Sequence, residues 1–233
     1  MKDRRHYLLR CVVEEYAQTA QPVASAQIQA RYDVSYSSAT IRNDLLALET
    51  EGLVYQPHVS AGRVPTDQGY RVYVNHMVHP DARDASMRQV TDEVLSEVNR
   101  LREMNVKLKM MLLNIAAWSQ TATLGKLPGD PVFEEGLEYF VSQPNVEDVE
   151  VIRNAFADLN EMKEHLDEIG NSLSSREYEL YIGGENPLPS MHKYSTIVGK
   201  PRIDGEVGTL VLIGPKHMAY NKNIALIEHI LRR

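Results

Sequence analysis

Apolar and polar residues recur with helical periodicity near the start of the chain. Over residues 3–19 the apolar side chains are spaced three and four positions apart, and Gln21-Pro22 interrupts the pattern. This spacing predicts a first helix with one buried face. Ser25 is expected to cap a short second helix.

A third helix is predicted after a turn, with Ser37 or Ser38 as its cap. Its apolar residues Ile41, Leu45 and Leu48 fall at positions i, i+4 and i+7. Side chains at this spacing lie on one face of a helix, so we expect them to point together into a core.

The opposite face of this helix carries Ala39, Thr40, Arg42 and Asn43. In the DNA major groove, arginine can bind guanine through two hydrogen bonds and asparagine can bind adenine in the same way. Small residues let a helix approach the bases closely. The face therefore suits base recognition, although the helix pattern alone favours an ordinary solvated surface.

The segment after the third helix favours DNA binding. Gly52 ends the helix, residues 53–55 are predicted as a short strand, and a second strand follows a reversal at Gly62, whose backbone is permissive. Three helices followed by a hairpin, in this order, are typical of a winged helix-turn-helix.

Cations and polar residues of the hairpin are candidates for contacts with the DNA backbone. Arg63 follows the turn glycine and is expected near the wing tip, where a cation can reach phosphates or the electronegative minor groove. His58 and Ser60 are candidates for phosphate contacts, or else ordinary polar loop residues.

Thr66 is predicted to cap a fourth helix whose apolar residues pack in the core or between domains. His76 and His79 lie three positions apart near its end, a spacing that would fit a metal-sensing regulator. Because no cysteine or carboxylate accompanies them at ligand spacing, we expect no metal site.

Several motifs of this segment match one known family. They are Ser38-Ala-Thr-Ile-Arg-Asn-Asp44, Leu48-Glu49, Gly52-Leu53, Gln56-Pro-His-Val-Ser-Ala-Gly-Arg-Val-Pro-Thr66 and Gly69-Tyr-Arg71. The segment thereby resembles the HrcA family, the heat-inducible transcription repressors of bacteria. The resemblance implies a winged-helix domain acting at an inverted-repeat operator upstream of chaperone genes, in repressors that the chaperonin GroEL maintains in active form. The predicted DNA-binding residues are Ser37, Ser38, Thr40, Arg42, Asn43, His58, Ser60, Gly62, Arg63 and Arg71.

A seven-residue apolar repeat runs through residues 84–118, and only Glu97 interrupts it. Over about five heptads such a repeat indicates a helix roughly 50 Å long whose seam needs a partner helix. The partner is a second copy or a segment folding back from the same chain. We favour a dimer, because two recognition helices related by a twofold axis match an inverted repeat. The predicted seam consists of Val94, Leu101, Met104, Leu108, Met111 and Ile115.

Beyond a turn-rich linker at residues 126–131, the pattern predicts an α+β unit with a small, antiparallel sheet. Helices are expected at residues 133–140, 146–169 and 220–231, and strands at residues 178–182, 194–198 and 207–213. The predicted domains are a winged helix at residues 1–78, a dimerisation helix with linker at residues 79–125 and the α+β domain at residues 126–233.

The C-terminal unit also resembles the HrcA family, through Ile182-Gly-Gly-Glu-Asn186, Gly208-Thr-Leu-Val-Leu-Ile-Gly-Pro215 and Met218 with Tyr220. In that family the region belongs to a GAF-like domain. Here much of the segment expected between Trp118 and Phe133 is missing, and His217 and Ala219 replace the usual Arg and Asp. We therefore expect a reduced GAF-like domain and assign it no small-molecule ligand or cofactor.

Charge restricts where nucleic acid could bind. The chain has 25 Lys and Arg against 32 Asp and Glu, a net charge of −7, which excludes a uniformly basic protein. Residues 1–80 hold 8 basic and 8 acidic residues, so the acidic excess follows Pro80 and any nucleic-acid face must be local.

The remaining composition indicates a soluble cytoplasmic protein. The single cysteine, Cys11, excludes an intramolecular disulfide, suits a reducing compartment and lies on an apolar stripe, where we expect a core residue. No apolar run approaches the ~20 residues of a membrane-spanning helix.

No pattern of catalytic grade is present. Gly183-Gly184 is predicted to be a turn at the end of a strand and not a nucleotide loop, and we expect no enzyme activity. Three hypotheses remain: a dimeric sequence-specific repressor of heat-shock genes, a divergent winged-helix regulator that responds to another signal, and an enzyme or interaction module that uses the winged helix for protein contacts.

Overall fold

The structure, a computed structural model, consists of two compact units, Met1–His79 and Pro80–Arg233. Both contain helices and antiparallel strands, so the fold is α+β, as predicted. The residues that the structure describes are 2–32, 34–77, 89, 92–93, 96, 104–141, 149–173 and 178–232.

The first unit has the predicted order of three helices, a hairpin and a fourth helix. β1 and β2 pair antiparallel, with Val54 opposite Pro65, and residues 56–63 between them form the hairpin loop. The elements are α1 (Lys2–Thr19), α2 (Ser25–Arg31), α3 (Ser38–Thr50), β1 (Val54–Tyr55), β2 (Val64–Pro65) and α4 (Asp67–Met77).

The core of this unit is built from one face of each helix. Leu9, Ile28, Ile41 and Leu48 have no exposed surface, which confirms the predicted inward face of α3. Cys11 is also buried, and burial raises the pKa of its thiol to about 11. The cysteine is therefore a core residue, as predicted.

The chain turns away from α3 at Gly52, and a hydrogen bond from Thr66 holds this turn. Gly52 has a φ of +74°, in the left-handed region that glycine tolerates, and the chain leaves the helix there. The Thr66 hydroxyl donates to the Gly52 carbonyl at 2.6 Å and accepts from the Gly69 N–H at 3.0 Å. Thr66 thus caps α4, as predicted, and ties α4 to the end of α3.

The second unit is a five-stranded sheet between two helical layers. The strand order is β4-β3-β9-β6-β5, and every pairing is antiparallel. β7 and β8 form a separate two-stranded hairpin. The elements are α5 (Met104–Ser119), β3 (Ala122–Lys126), β4 (Phe133–Glu135), α6 (Leu137–Val141), α7 (Val149–Glu164), α8 (Leu166–Ser172), β5 (Tyr178–Ile182), β6 (Tyr194–Gly199), β7 (Arg202–Ile203), β8 (Glu206–Val207), β9 (Thr209–Pro215) and α9 (Tyr220–Leu231).

The two sheet faces pack on different helices. One face, with Leu124 and Val211, forms a buried cluster with Leu159 and Leu166 of α7 and α8. On the other face, the Thr123 hydroxyl donates to the Leu112 carbonyl of α5 at 3.1 Å. The α5 helix is therefore a structural layer of the second unit.

Asn186, in the Gly-Gly-Glu-Asn motif, joins two short 3₁₀ turns to the start of β6 in the second unit. Its side chain is buried; Nδ2 donates to the carbonyls of Gly183, Met191 and Tyr194, and Oδ1 accepts from the Thr196 hydroxyl at 2.6 Å. The motif therefore has a structural role. Gly183 follows β5 in a short 3₁₀ turn, which confirms the turn at the end of this strand.

The predicted dimer seam is wrong for three of its residues. Leu108, Met111 and Ile115 are at most 2% exposed because they pack inside their own unit. Met104 is 38% exposed, whereas Val94 and Leu101 lie outside the described residues. A seven-residue apolar repeat fits a partner helix or the chain's own sheet, and here the sheet covers α5.

Other boundaries of the second unit also differ from the prediction. Residues 122–126 form β3 within the sheet and are not a linker, and residues 133–135 form a strand before α6 begins. The helix predicted over residues 146–169 is divided at His165 into α7 and α8, of which residues 149–169 are described. In the first unit, Ser25 is the first residue of α2, and Ala24 is the cap.

Among the described helices, none combines the length and apolar composition needed to cross a bilayer.

Candidate nucleic-acid interface

The N-terminus of α3 is built from hydroxyl side chains. Ser37 is the N-cap, and its Oγ accepts from the Thr40 backbone N–H at 3.2 Å and lies 2.9 Å from the Thr40 hydroxyl. The Ser38 hydroxyl lies 3.0 Å from that of Ser25, which links α3 to α2. This geometry fixes where α3 starts relative to the preceding helix.

The outward face of α3 presents the predicted side chains to solvent. Ala39, Arg42 and Asn43 are exposed, and Thr40 is half-buried. Within the part of the chain that the structure describes, Arg42 has no ion-pair partner. Its guanidinium is therefore available to a ligand with acceptor groups.

Leu46 belongs to the same face, and the sequence prediction missed it. It is 46% exposed, four residues after Arg42, so both side chains lie on one stripe of the helix. The spacing in the sequence was the available signal, but a leucine in a helix is usually assigned to the core.

A groove of about 400 Å³ lies between α3 and the hairpin loop. Arg42 and Leu46 line its α3 side, and Ser60 lines its loop side. Its full lining is Val23, Ala24, Ser25, Arg42, Leu45, Leu46, Gln56, Val59, Ser60, Ala61, Gly62 and Arg63. The structure thus brings the exposed face of α3 and the loop together around one concave surface.

The tip of the hairpin loop carries His58, Val59 and Ser60, all exposed, and Val59 is 97% exposed. The Gln56 side chain holds the loop in shape, because its Nε2 donates to the carbonyls of Val59 at 3.0 Å and Ala61 at 2.7 Å. The tip is therefore a closed turn that presents polar side chains beside α3.

Arg63 does not lie at the wing tip, contrary to the prediction. It precedes β2 directly and is 7% exposed, and its Nη2 pairs with Glu49 Oε2 of α3 at 3.0 Å. Its backbone N–H and carbonyl pair with Val23 at 2.8 and 2.9 Å. A buried guanidinium that is held by a carboxylate is an internal contact, so Arg63 is removed from the candidate interface.

Gly62 is needed for close packing and not for a reversed φ. A Cβ atom at this position would lie 2.3 Å from the Val23 carbonyl carbon, closer than real Cβ contacts allow. The absence of a side chain lets the hairpin loop pair with the segment before α2. Arg71, also predicted to bind DNA, is half-buried on α4 and does not line the groove.

Replacing Gly62 with alanine is expected to destabilise the first unit by about 1–2 kcal/mol, because the Val23 backbone must move away from the new methyl group. Native-state hydrogen exchange of the slowest α3 amides measures this change. Ser60→Ala, on the exposed side of the same loop, should leave those amides unchanged. Equal exchange in both variants would contradict the close approach.

Arginines of the first unit form ion pairs with the acidic residues of α3 and with Glu51 just after it. Unpaired carboxylates on a helix surface would repel anions such as phosphates. The Arg4 guanidinium donates a hydrogen bond to the Asp44 carboxylate, which raises the pKa of Arg4 above its ordinary value. The pairs are Arg4 with Asp44 at 2.7 Å, Arg5 with Glu51 at 2.6 Å and Arg63 with Glu49 at 3.0 Å.

The structure does not show His76 and His79 as a pair of metal ligands. The His76 ring stacks on the His6 ring of α1, with 5.6 Å between centroids, whereas His79 lies outside the described residues. Among the described residues, no group of three or more His, Cys, Asp or Glu side chains could hold a metal ion.

Comparison with known proteins identifies the family. The model of the HrcA protein C-terminal domain matches residues 51–224. A heat-inducible transcription repressor HrcA of Desulfitobacterium hafniense is 26% identical over an alignment of 333 positions, which covers 100% of this chain and 96% of that protein. The HrcA repressor of Synechocystis is 46% identical over 99 residues, covering 42% of this chain and 26% of its own length.

A solved structure shares the fold. A crystal structure of a hypothetical protein is 21% identical and matches with a TM-score of 0.73, covering 99% of this chain and 96% of that one. The family is one of transcription repressors and not of enzymes. Since the family model spans most of the chain, the protein belongs to the HrcA family.

Proposed function

We propose that this chain is a sequence-specific DNA-binding repressor of heat-shock genes, which binds an inverted-repeat operator as a dimer in the cytoplasm. In this proposal the first unit is a winged helix-turn-helix, α3 is the recognition helix and the hairpin loop is the wing. The observation that carries the proposal is the exposed Arg42–Asn43 face of α3 beside the groove and loop.

The side chains of α3 suit the edges of bases. Arg42 has two donors in the geometry that guanine N7 and O6 accept, and Asn43 can pair with adenine N6 and N7. Leu46 can contact a thymine methyl group, and Ala39 leaves room for close approach. Ser37 and Thr40 hydroxyls at the helix N-terminus are placed for backbone phosphates.

The wing supplies contacts of a different kind. His58 and Ser60 are exposed at the loop tip, beside the groove, and suit phosphate oxygens. Such contacts orient the protein without selecting a sequence. Because the acidic residues at α3 are paired internally, this local surface is compatible with DNA despite a net charge of −7.

A direct test compares duplexes and salt concentrations. The protein should prefer its inverted repeat over random duplex by orders of magnitude, and affinity for both should fall steeply with added salt. Fluorescence anisotropy with labelled duplexes measures both effects. Equal affinity for the two duplexes would refute sequence-specific binding.

Dimerisation would use an apolar face of α5 that its own sheet leaves uncovered. Val106 and Leu113 are 40% and 43% exposed, one heptad apart, and the half-buried Met110 lies between them. This face points away from the buried Leu108 and Ile115. Pairing it with a second copy would remove apolar surface from water and supply the twofold axis that an inverted repeat requires.

Replacing Leu113 with glutamate is expected to shift the protein toward monomer, because a carboxylate would be placed in the apolar contact. Sedimentation velocity over a range of protein concentrations measures the shift. Gln120→Glu adds the same charge just after α5 and should leave the mass unchanged. An unchanged mass for Leu113→Glu would exclude this face from the dimer.

The C-terminal unit is proposed to be a reduced GAF-like domain. The alignment with the Desulfitobacterium relative exceeds the 233 residues of this chain by 100 positions, so this chain carries large gaps relative to that protein. The sheet and its helical layers remain within the described residues. This comparison supports a shortened form of the family's architecture.

Family resemblance adds the chaperonin GroEL as the partner that maintains the active repressor. A marginally stable fold would then link heat to derepression, because a loss of 1–2 kcal/mol changes the folded population severalfold. Purified protein should accordingly lose operator affinity after heating without chaperonin. Full affinity after that treatment would refute the chaperone dependence.

A further inference from the structure

Glu49, at the end of α3, contacts both ends of the hairpin loop. Its Oε1 accepts the backbone N–H of Gln56 at 3.0 Å, and its Oε2 pairs with Arg63 Nη2 at 3.0 Å. Gln56 follows β1 and Arg63 precedes β2, so one carboxylate joins α3 to the two points where the loop begins and ends.

Hydrogen bonds also hold the tip and the base of this loop. Gln56 Nε2 donates to the Val59 and Ala61 carbonyls, which fixes the tip. The Arg63 backbone pairs with Val23 in both directions, which fixes the base. The contacts of Glu49 add a direct link between this internally shaped loop and the side of α3.

The Glu49–Arg63 pair is an unusual choice for stability alone. The Arg63 side chain is only 9% exposed, and taking a guanidinium out of water carries a large desolvation penalty that an ion pair barely offsets. Apolar residues of similar size would often stabilise a fold as well. What the charged pair adds is a fixed direction and distance between two elements.

We propose that Glu49 is a positioning residue that sets the wing at a fixed place beside the recognition helix, so that both engage one DNA half-site together. This inference rests on the proposed function. The two surfaces act as linked binding modules, and linkage of fixed geometry raises affinity beyond that of either one. Loss of Glu49 should remove the wing contacts while Arg42 still recognises its base.

The matched comparison is Glu49→Ala against Glu51→Ala, in the full-length protein. Both variants remove one carboxylate from the same end of α3. Glu51 pairs with Arg5, and among the described residues its side chain has no hydrogen bond or ion pair with the hairpin loop. Their direct electrostatic effects on DNA are therefore similar. A difference in DNA binding or amide exchange between the two variants therefore reports the contact between Glu49 and the hairpin loop.

The first measurement needs no DNA. Hydrogen exchange of the Gln56 amide, whose acceptor is Glu49, and of the Arg63 amide, bonded to Val23, should become faster in Glu49→Ala and stay unchanged in Glu51→Ala. Unchanged exchange at Gln56 in Glu49→Ala would overturn the proposal, whether or not the protein binds an operator.

The second measurement uses the operator. Glu49→Ala should lose roughly tenfold in affinity, and the salt dependence should fall by about one phosphate contact per half-site. Hydroxyl-radical footprints should lose protection at the wing positions and retain it where α3 lies. A purely structural role would lower the active fraction without changing the footprint or the salt slope, and that result would contradict positioning.

A second variant covers the case in which the unpaired Arg63 unfolds the protein. The double variant Glu49→Ala/Arg63→Met removes the buried cation, and it should fold while its Gln56 amide still exchanges quickly. A complete footprint in this variant would overturn the proposal. Failure of the wild type to prefer the inverted repeat would instead refute the proposed function, since the exchange measurement decides the contact separately.

Discussion

Replacing Leu108 with alanine is expected to destabilise the second unit by about 2–5 kcal/mol. The side chain has no exposed surface and lies between α5 and the sheet, near Gly125 of β3. Removing it leaves a cavity in addition to the lost apolar burial. Trp118, the single tryptophan, lies on α5, so its fluorescence during urea unfolding reports this unit.

The control removes the same side chain from the exposed face of the same helix. Leu113→Ala, at 43% exposure, should cost less than about 1 kcal/mol in dilute protein. If the two variants were equally destabilised, the orientation of α5 would be wrong. If instead the destabilisation by Leu108→Ala increased when the protein was diluted, Leu108 would lie in a contact between two copies of the chain.

Replacing Arg42 with alanine is expected to weaken operator binding by about 1–3 kcal/mol and to relax the preference at one base position. The guanidinium is exposed at the groove, and no described residue pairs with it, so its donors are available for a guanine. Competition between operators substituted at single positions measures both the affinity and the base preference.

Arg42→Lys separates base recognition from phosphate binding. Lysine keeps the charge but lacks the planar pair of donors, so it should retain nonspecific affinity while losing preference at that position. If Arg42→Ala weakened all sequences equally and lowered the salt dependence by about one unit, Arg42 would be a phosphate contact.

The sequence predicted the first unit well because its signals are local. Helical spacing identifies the buried face of α3, Ser37 and Thr66 have the geometry of helix caps, and Gly52 ends α3 with a positive φ. Each of these depends on neighbours within a few residues, which periodicity and capping preferences describe. The exposed face of α3 follows from the same pattern.

The sequence pattern does not predict the buried position of Arg63, because its ion-pair partner, Glu49, lies on the preceding helix and not next to it in the sequence. A loop arginine beside a glycine is usually exposed, and only the fold brings Glu49 within 3.0 Å of it. Gly62 was identified for the wrong reason, since the Val23 backbone that approaches it comes from a segment about forty residues earlier. Such contacts are set by tertiary packing and leave no local pattern.

For α5, too, the sequence pattern does not identify the tertiary contact. Its apolar repeat predicts a long helix that needs a partner surface. Of that helix the structure describes Met104–Ser119 continuously, and there the buried Leu108 packs near Gly125 of β3, in the sheet of the same unit. Periodicity identifies a buried face without identifying what covers it. Strand β3 was missed because Ala122 and Gly125 have low strand propensity and tertiary packing decides their conformation.

Selection of bound duplexes from a random pool by the purified full-length protein tests the central claim most directly. The proposed function predicts enrichment of one motif with two identical half-sites in inverted orientation, and Arg42→Ala should lose enrichment at one position of each half-site. A pool that remained random after repeated rounds, or a motif without twofold symmetry, would contradict the account.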